Sequence, residues 1–151
     1  MNIKKADLID YAILTTIQRK SKAHWGYSEA QMKAWEDELC IQVTDIEQYS
    51  FFKLLLEEQI IAFYSYEKLS TTLVHLENLF VLPSFIGKGL GKLLLLDFFA
   101  RVQKEGFQMV QLEADPHATA FYERFGFTII GQKQSTIPNR FLPIMQKSLT
   151  Q

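Results

Sequence analysis

Three glycines alternate with other residues in the stretch FIGKGLGK, residues 85–92, where they occupy positions 87, 89 and 91. Glycine is favoured where the backbone needs a positive φ or where another group must approach it closely. A strand-like apolar run (75–82) precedes the stretch and a helix-like run (93–101) follows it. A helix N-terminus presents backbone N–H groups that have no partner within the helix, together with a partial positive charge. Such a turn is suited to binding phosphate, and a purely structural connector is the alternative.

Two common phosphate loops do not fit this turn. A Walker A loop has four residues between its glycines and a Ser or Thr after its lysine, whereas here three residues separate Gly87 from Gly91 and Leu93 follows Lys92. The dinucleotide motif GxGxxG requires a third glycine at position 92, which is a lysine, and that motif usually follows the first strand of its domain. Both interpretations are therefore excluded.

The composition indicates one globular domain over residues 1–151. The chain is 48% hydrophobic and 13% aromatic, which is enough to bury a sizeable core. Sixteen Lys and Arg residues balance seventeen Asp and Glu residues, without a basic cluster, so nucleic acid is not an expected partner. The N-terminus lacks the apolar core of a signal peptide, and the longest apolar run is interrupted by Asp97 and too short to cross a bilayer. We expect a cytoplasmic protein that binds no membrane.

The residues that commonly bind metals are sparse. Cys40 is the only cysteine, which excludes an internal disulfide and a thiol-based metal site. The three histidines, His24, His75 and His117, show no metal-ligand spacing. We expect no metal site.

Hydrophobic periodicity and capping signals predict the order β-α-α-β-β-β-α-β-α-β-β. The first helix is capped by Asp7 and carries Ile9, Ile13 and Ile17 at helical spacing, and the second begins at Ser28 and ends at Cys40. A meander of three strands (51–57, 60–68 and 73–82) leads to the glycine turn and to a helix that ends at Gly106. The last elements are a strand (108–114), a helix from Asp115-Pro116 to Gly126, and two strands (127–131 and 141–147).

The glycine turn, the element order and the stretch ATAFYERFGF (118–127) together resemble the GNAT superfamily of acetyl-CoA-dependent N-acetyltransferases. The superfamily turn, Gln/Arg-x-x-Gly-x-Gly/Ala, is matched at Gly89 and Gly91. A later helix of the superfamily, roughly N-x-x-A-x-x-F/L-Y-x-x-x-G-F, is similar to residues 115–127. Ile86 departs from the usual Gln or Arg, and Asp115 departs from the usual Asn. The resemblance spans the chain and is strongest over residues 73–127.

This resemblance implies an α/β fold in which a central, mostly antiparallel mixed sheet is flanked by helices and splayed between its fourth and fifth strands. It also implies acetyl-CoA as cosubstrate. The strand main chain would bind the pantetheine arm and polarise the acyl carbonyl through an N–H near Phe80 or Val81. The expected cofactor-binding residues are Leu79, Phe80, Val81, Gly87, Lys88, Gly89, Leu90, Gly91, Lys92 and Asp115.

The chemistry implied by the resemblance needs a base and an acid. An alkylamine with a pKa of about 10.4 is mostly protonated at neutral pH, so a base must take its proton. Strand alternation puts His75 and Glu77 on one face, and both match positions where the superfamily places a base. His75 has the more suitable ordinary pKa, but we favour Glu77 because a carboxylate would also attract the ammonium. Tyr122 matches the tyrosine that protonates the leaving thiolate, and a core aromatic is its alternative.

The predicted function is therefore transfer of an acetyl group to a primary amine by direct attack in a ternary complex. The acceptor is a small-molecule or peptide amine that the sequence does not identify. Exposed sheet edges would permit a homodimer. The alternatives are a non-catalytic acyl-CoA-binding sensory domain and a protein-interaction domain with a structural glycine turn. The expected acceptor-side residues are His24, Trp25, Tyr27, Asn78 and Arg140, the last of which could instead pair with a surface acid.

Overall fold

The computed structural model describes residues 1–149, which divide into two compact units. The first unit comprises Met1–Tyr66 and Asn78–Phe98. The second comprises Glu67–Glu77 and the chain from Phe99 onward. The expectation of a single domain over the whole chain stays a prediction.

The described residues form helices, strands and three short 3₁₀ turns. The helices are α1 (Tyr11–His24), α2 (Glu29–Ala34), α3 (Val43–Gln48), α4 (Leu90–Lys104) and α5 (Thr119–Arg124). The strands are β1 (Asn2–Lys5), β2 (Ser50–Leu56), β3 (Gln59–Lys68), β4 (Leu73–Val81), β5 (Met109–Glu113), β6 (Thr128–Gln134) and β7 (Phe141–Ser148). The 3₁₀ turns are Leu8–Asp10, Pro83–Phe85 and Pro116–Ala118. Within residues 1–149, no helix has both the length and the apolar character needed to span a membrane.

The seven strands form one mixed sheet in the order β1-β2-β3-β4-β5-β7-β6. The β1–β2, β2–β3, β5–β7 and β6–β7 pairs are antiparallel, whereas β4 and β5 are parallel. The parallel register runs from Leu73 opposite Met109 to His75 opposite Gln111, and β5 continues to Glu113. The predicted mixed, mostly antiparallel sheet flanked by helices is confirmed, and the splay between β4 and β5 stays a prediction.

The core of the first unit lies between α1 and one face of the sheet. Leu14, Ile17 and Phe63 are fully buried there, and Phe80 packs against the same cluster. On β3 the next side chain, Tyr64, packs edge-on against Phe98 of α4, with ring centroids 5.6 Å apart. Because successive strand residues point to opposite faces, β3 is covered on both sides, which accounts for its nearly continuous apolar sequence.

The core of the second unit is built on β5 and β7. Val110, Leu112 and Met145 are buried, and the alternating burial of β5 leaves Met109 and Gln111 more accessible. In the same unit the rings of Phe99 and Phe127 pack against each other, with centroids 6.0 Å apart.

Two predictions about the helices were wrong, and one helix was not predicted. On α1 the buried face holds Leu14, Ile17, Gln18 and Ser21, whereas Ile9 and Ile13 are exposed. The second helix ends at Ala34 rather than Cys40, because beyond it the Glu36 N–H donates to the Lys33 carbonyl oxygen, an i→i−3 bond in place of the i→i−4 ladder. The Arg19 guanidinium donates to the carbonyl oxygens of residues 36 and 39 in this turn. The helix that was not predicted is α3.

Candidate active site

The glycine turn precedes the N-terminus of α4 in the first unit. After the 3₁₀ turn Pro83–Phe85, Gly87 and Gly89 adopt φ values of +85° and +76°, and α4 begins at Leu90. Such φ values disfavour any residue with a side chain. Among the described residues, no heavy atom lies within 4 Å of a Cβ built on either glycine. The glycines are thus required by backbone conformation, and a Cβ at either position would point into open space.

The neighbouring cationic side chains are exposed. Lys92 lies in the first turn of α4, and the Lys88 ammonium lies over the Phe85 ring, 5.3 Å from its centroid. Ile86, in the position where the superfamily has Gln or Arg, is 40% exposed. The turn therefore offers backbone N–H groups and two lysines to an anion.

The second half of β4 is held against α1. The Ser21 hydroxyl donates to the Val81 carbonyl oxygen over 2.6 Å, and the Leu82 N–H donates to the Ile61 carbonyl oxygen over 2.9 Å. Leu79, Phe80 and Val81 are all half-buried. The end of the strand segment predicted to bind the pantetheine arm is therefore held by a hydrogen bond to α1 and by another to β3.

His75 and Glu77 are brought together in the second unit. The His75 Nδ1 atom lies 3.0 Å from Glu77 Oε2, and their side chains are 16% and 56% exposed. The hydrogen bond to Glu77 raises the pKa of His75, against the effect of burial, and lowers the pKa of Glu77. The pair can therefore hold a proton near neutral pH on the imidazole while the carboxylate stays charged.

Other charges act on this pair. The carboxylates of Glu113 and Glu67 raise the pKa of His75 further, and the ammonium of Lys133 lowers that of Glu77. Lys133 also forms an ion pair with Glu113, at 3.5 Å. The surroundings of His75 thus favour positive charge.

Tyr122 is a buried phenol on α5, with 9% of the residue exposed. Its ring packs edge-on against Phe121 and Phe127, with centroid distances of 5.2 and 5.5 Å. Burial raises the pKa of Tyr122 well above its ordinary value, and the charge of Asp115 raises it further. The hydroxyl therefore stays protonated and can act only as a hydrogen-bond or proton donor at neutral pH.

Asp115 and Arg140 pair with each other. Asp115 Oδ1 accepts the N–H of His117 at 3.0 Å and lies 2.8 Å from its ring Nδ1, while Oδ2 accepts from the Arg140 guanidinium at 3.1 Å. Asp115 thus keeps the predicted capping role. Arg140 pairs with an acid, which was one of its two predicted roles, but both side chains are largely buried and not at the surface as predicted.

Three of the remaining acceptor-side candidates take part in aromatic contacts. His24 and Trp25 pack edge-on with ring centroids 5.4 Å apart, and Tyr27 packs on Trp35 at 4.9 Å. Asn78 instead contacts the first unit's interior, because it accepts from Gln18 at 3.3 Å and donates to Ser65.

The sequence interpretation missed two buried polar residues, Gln18 and Ser21, both of which bond to β4. A helical signal was available, because positions 14, 17, 18 and 21 form one stripe in which two residues are polar. Within residues 1–149, no group of three or more His, Cys, Asp or Glu side chains is arranged to bind a metal.

Comparison with known proteins places these features in a family. The family model described as "Acetyltransferase (GNAT) domain" matches residues 13–149. A glucosamine 6-phosphate N-acetyltransferase from Trypanosoma brucei brucei is 38% identical over 53 residues, covering 35% of this chain and 36% of that protein. The match thus spans about a third of this curated relative.

Two solved structures share the fold. The PaiA N-acetyltransferase from Thermoplasma acidophilum, in complex with coenzyme A, superposes with a TM-score of 0.78 at 21% identity, covering 97% of this chain and 98% of that one. The ribosomal-protein-S18-alanine N-acetyltransferase from Escherichia coli superposes with a TM-score of 0.75 at 22% identity, covering 99% and 94%. The family match and the shared fold agree with the resemblance read from the motifs. The chain belongs to the GNAT acetyltransferase domain family.

Proposed function

We propose that this protein transfers the acetyl group of acetyl-CoA to a primary amine by direct attack in a ternary complex. Acetyl-CoA supplies a thioester whose C–S bond breaks as the amine nitrogen forms a bond to the acetyl carbon, so that the products are an N-acetyl amine and coenzyme A. The protein must hold the thioester, take one proton from the ammonium to free the attacking lone pair, and supply one to the sulfur. The second proton that the nitrogen loses on becoming an amide balances the proton that the sulfur gains.

The observation that carries the proposal is the open glycine turn in front of α4. Gly87 and Gly89 keep positive φ, and the space beside them is free of protein atoms within 4 Å of a built Cβ. Backbone N–H groups at the start of α4 would hold the pyrophosphate, assisted by Lys88 and Lys92. The similar structure from Thermoplasma acidophilum was solved in complex with coenzyme A, which supports coenzyme A as the ligand. The main chain of residues 79–81 would hold the pantetheine arm, with an N–H at Phe80 or Val81 on the acetyl oxygen.

For the proton from the amine we propose the His75–Glu77 pair. Glu77 has a lowered pKa and is a weak base, whereas His75 has a raised pKa and is a better one near neutral pH. We therefore assign proton acceptance to His75, and to Glu77 the charge that both raises the basicity of His75 and attracts the ammonium. Glu77 itself, which the sequence favours as the base, is the competing assignment.

For the proton to the sulfur we propose Tyr122. Its buried phenol stays protonated, so it can donate to a thiolate as the C–S bond breaks. Asp115 would support this role, since its charge holds the phenol in the protonated form.

A thiol-release assay tests the proposal. The purified protein is incubated with acetyl-CoA and a panel of amines, and free coenzyme A is measured with a thiol reagent while the acetylated product is identified by mass spectrometry. The panel includes alkylamines, glucosamine 6-phosphate and a peptide with N-terminal alanine, because relatives of this chain are named for the last two. Amine-dependent release supports the proposal. Tight binding of acetyl-CoA without release would favour a sensory domain, and absence of binding would favour a protein-interaction domain.

A further inference from the structure

A largely buried ion pair adjoins the turn that leads into the helix of Tyr122. Arg140, directly before β7, donates to Asp115 Oδ2 over 3.1 Å, and both side chains are 15% exposed. The other carboxylate oxygen accepts the His117 N–H in the 3₁₀ turn Pro116–Ala118, and α5 with Tyr122 follows that turn. These residues all belong to the second unit. Asp115 thus connects a largely buried cation to the element that carries the proposed acid.

The charge of Asp115 has two consequences for that acid. It raises the pKa of Tyr122 beyond the effect of burial, so it keeps the phenol protonated before the reaction. The same charge opposes the reaction itself, because the phenol becomes an anion once it has given its proton to the sulfur. A carboxylate without a counter-charge would therefore make Tyr122 a poor proton donor.

The counter-charge is supplied mainly by Arg140. A guanidinium stays protonated at every pH at which the protein is folded, so its charge is permanent. The His117 ring also faces the carboxylate, with Nδ1 2.8 Å from Asp115 Oδ1, but its side chain is 42% exposed and water screens its charge. Arg140 is the less exposed of the two partners and is always charged.

We propose that Arg140 is a positioning residue of the acid step, in which it offsets the charge of Asp115 and allows the buried Tyr122 phenol to release its proton. This inference rests on the proposed function. In that step the O–H bond of Tyr122 breaks and an S–H bond forms on coenzyme A as the C–S bond breaks. The phenolate then takes a proton from water. Arg140 acts here through Asp115 and needs no contact with the substrate.

The test measures the chemical step in a single turnover. Protein in excess over acetyl-CoA is mixed with an amine that the wild type acetylates, and the rate constant for thiol release is measured. Because all the acetyl-CoA is bound to folded protein, an unfolded fraction in a variant sample does not alter this rate constant. The variants are Arg140→Met, Asp115→Asn combined with Arg140→Met, and the control Arg124→Met, which removes a cation from an exposed position of α5.

We expect Arg140→Met to lower the rate constant about tenfold, because a nearby charge changes an acid's dissociation constant by about 10–1000-fold and the rate follows part of that change. The double variant should recover most of this loss, since Asn keeps the cap of the 3₁₀ turn without the charge. Arg124→Met should match the wild type. A purely structural tie between Arg140 and Asp115 predicts no recovery, because the double variant cannot restore the ion pair.

The Tyr122→Phe background shows whether the effect passes through the phenol. Without the hydroxyl, Arg140→Met should no longer lower the rate constant, and a double-mutant cycle measures this coupling. An effect of equal size in both backgrounds would mean that Arg140 acts on another group.

Three results would overturn the inference: an unchanged rate constant in Arg140→Met, a double variant no faster than Arg140→Met, or an equal loss in the Tyr122→Phe background. If Arg140→Met does not fold because its carboxylate is unpaired, the double variant decides alone, and a rate constant about tenfold or more below the wild type would refute the inference. Failure of the proposed function is a different result, because wild-type protein would then release no coenzyme A with any amine.

Discussion

The proposed proton transfers depend on the surroundings of Tyr122 and His75, which shift the pKa of each side chain in the direction that its role requires. Burial keeps the Tyr122 phenol protonated, whereas the hydrogen bond from His75 to Glu77 stabilises the imidazolium and brings its titration above the ordinary His value. The acid is thus ready to donate, and the raised pKa makes His75 a stronger base than an isolated imidazole. Both roles are properties of single side chains and can be tested by single substitutions.

Replacing Tyr122 by Phe removes the hydroxyl and keeps the ring packing against Phe121 and Phe127. We expect kcat to fall by tenfold or more, since general acid catalysis typically contributes about 10²–10⁴-fold and a thiolate is a relatively good leaving group. The dissociation constant of acetyl-CoA should not change. Steady-state kinetics and calorimetric titration measure the two quantities, with Tyr49→Phe as the matched control. Full turnover in the Tyr122 variant would remove the proposed role.

Replacing Glu77 by Gln removes the main cause of the raised His75 pKa. A carboxylate stabilises the protonated imidazole, so its loss lowers the pKa of His75, and the acid limb of the pH–rate profile should move to lower pH. The kcat/KM for a cationic amine should fall because the attracting charge is lost. The profile is measured from about pH 5 to 9, with Glu47→Gln as control. If activity disappears at every pH, the proton acceptor is Glu77 rather than His75.

Among the elements, the glycine turn has a conformational role and a proposed binding role. Measurements of stability and of acetyl-CoA affinity can separate the two roles. Gly106, at the end of α4, has a φ of +94° and, like Gly89, no described heavy atom within 4 Å of a built Cβ. The two glycines are therefore matched in strain and in free space. They differ in position, because Gly89 precedes the N-terminus of α4 and Gly106 follows its C-terminus.

Alanine at either position is expected to destabilise the fold by about 1–2 kcal/mol, since both would force a left-handed backbone on a residue with a side chain. Only Gly89→Ala should also weaken acetyl-CoA binding. Urea unfolding gives the first quantity and calorimetric titration the second. Equal acetyl-CoA affinity in the Gly89 and Gly106 variants would mean that the turn is a connector.

The elements were predictable where local signals agreed with tertiary structure. The bounds of β2, β3 and β4 were predicted to within one residue, because apolar strands alternate with clear polar turns. The end of α2 was not predictable, since the Arg19 side chain that bonds to the turn after it lies 17 residues from Glu36. The helix α3 has only six residues and too short a periodic pattern to identify.

The candidate site, like the elements, was predictable only where a local pattern was sufficient. Strand period alone predicted that His75 and Glu77 would be neighbours. Asp115 and Arg140 are 25 residues apart in sequence. Their pairing depends on the position of β7 beside the turn at Pro116–Ala118. The Gln18–Asn78 contact bridges 60 residues and depends on which face of α1 is buried. Such contacts require the three-dimensional fold.

The family and the fold of the whole molecule are those of GNAT acetyltransferases, and acetyl-CoA is its proposed cosubstrate. Homodimerisation through the outer strands of the sheet, β1 and β6, stays a prediction.

The most direct measurement is therefore the thermal unfolding of the wild-type protein with and without acetyl-CoA, using ATP and NAD as controls. At about a hundred times its dissociation constant, a ligand that binds only the folded state adds roughly 2.7 kcal/mol of stability. For a chain of this length this predicts a midpoint increase of roughly 5–10 °C that the controls do not reproduce. An unchanged midpoint at millimolar acetyl-CoA would contradict the account, since the glycine turn would then hold no cosubstrate.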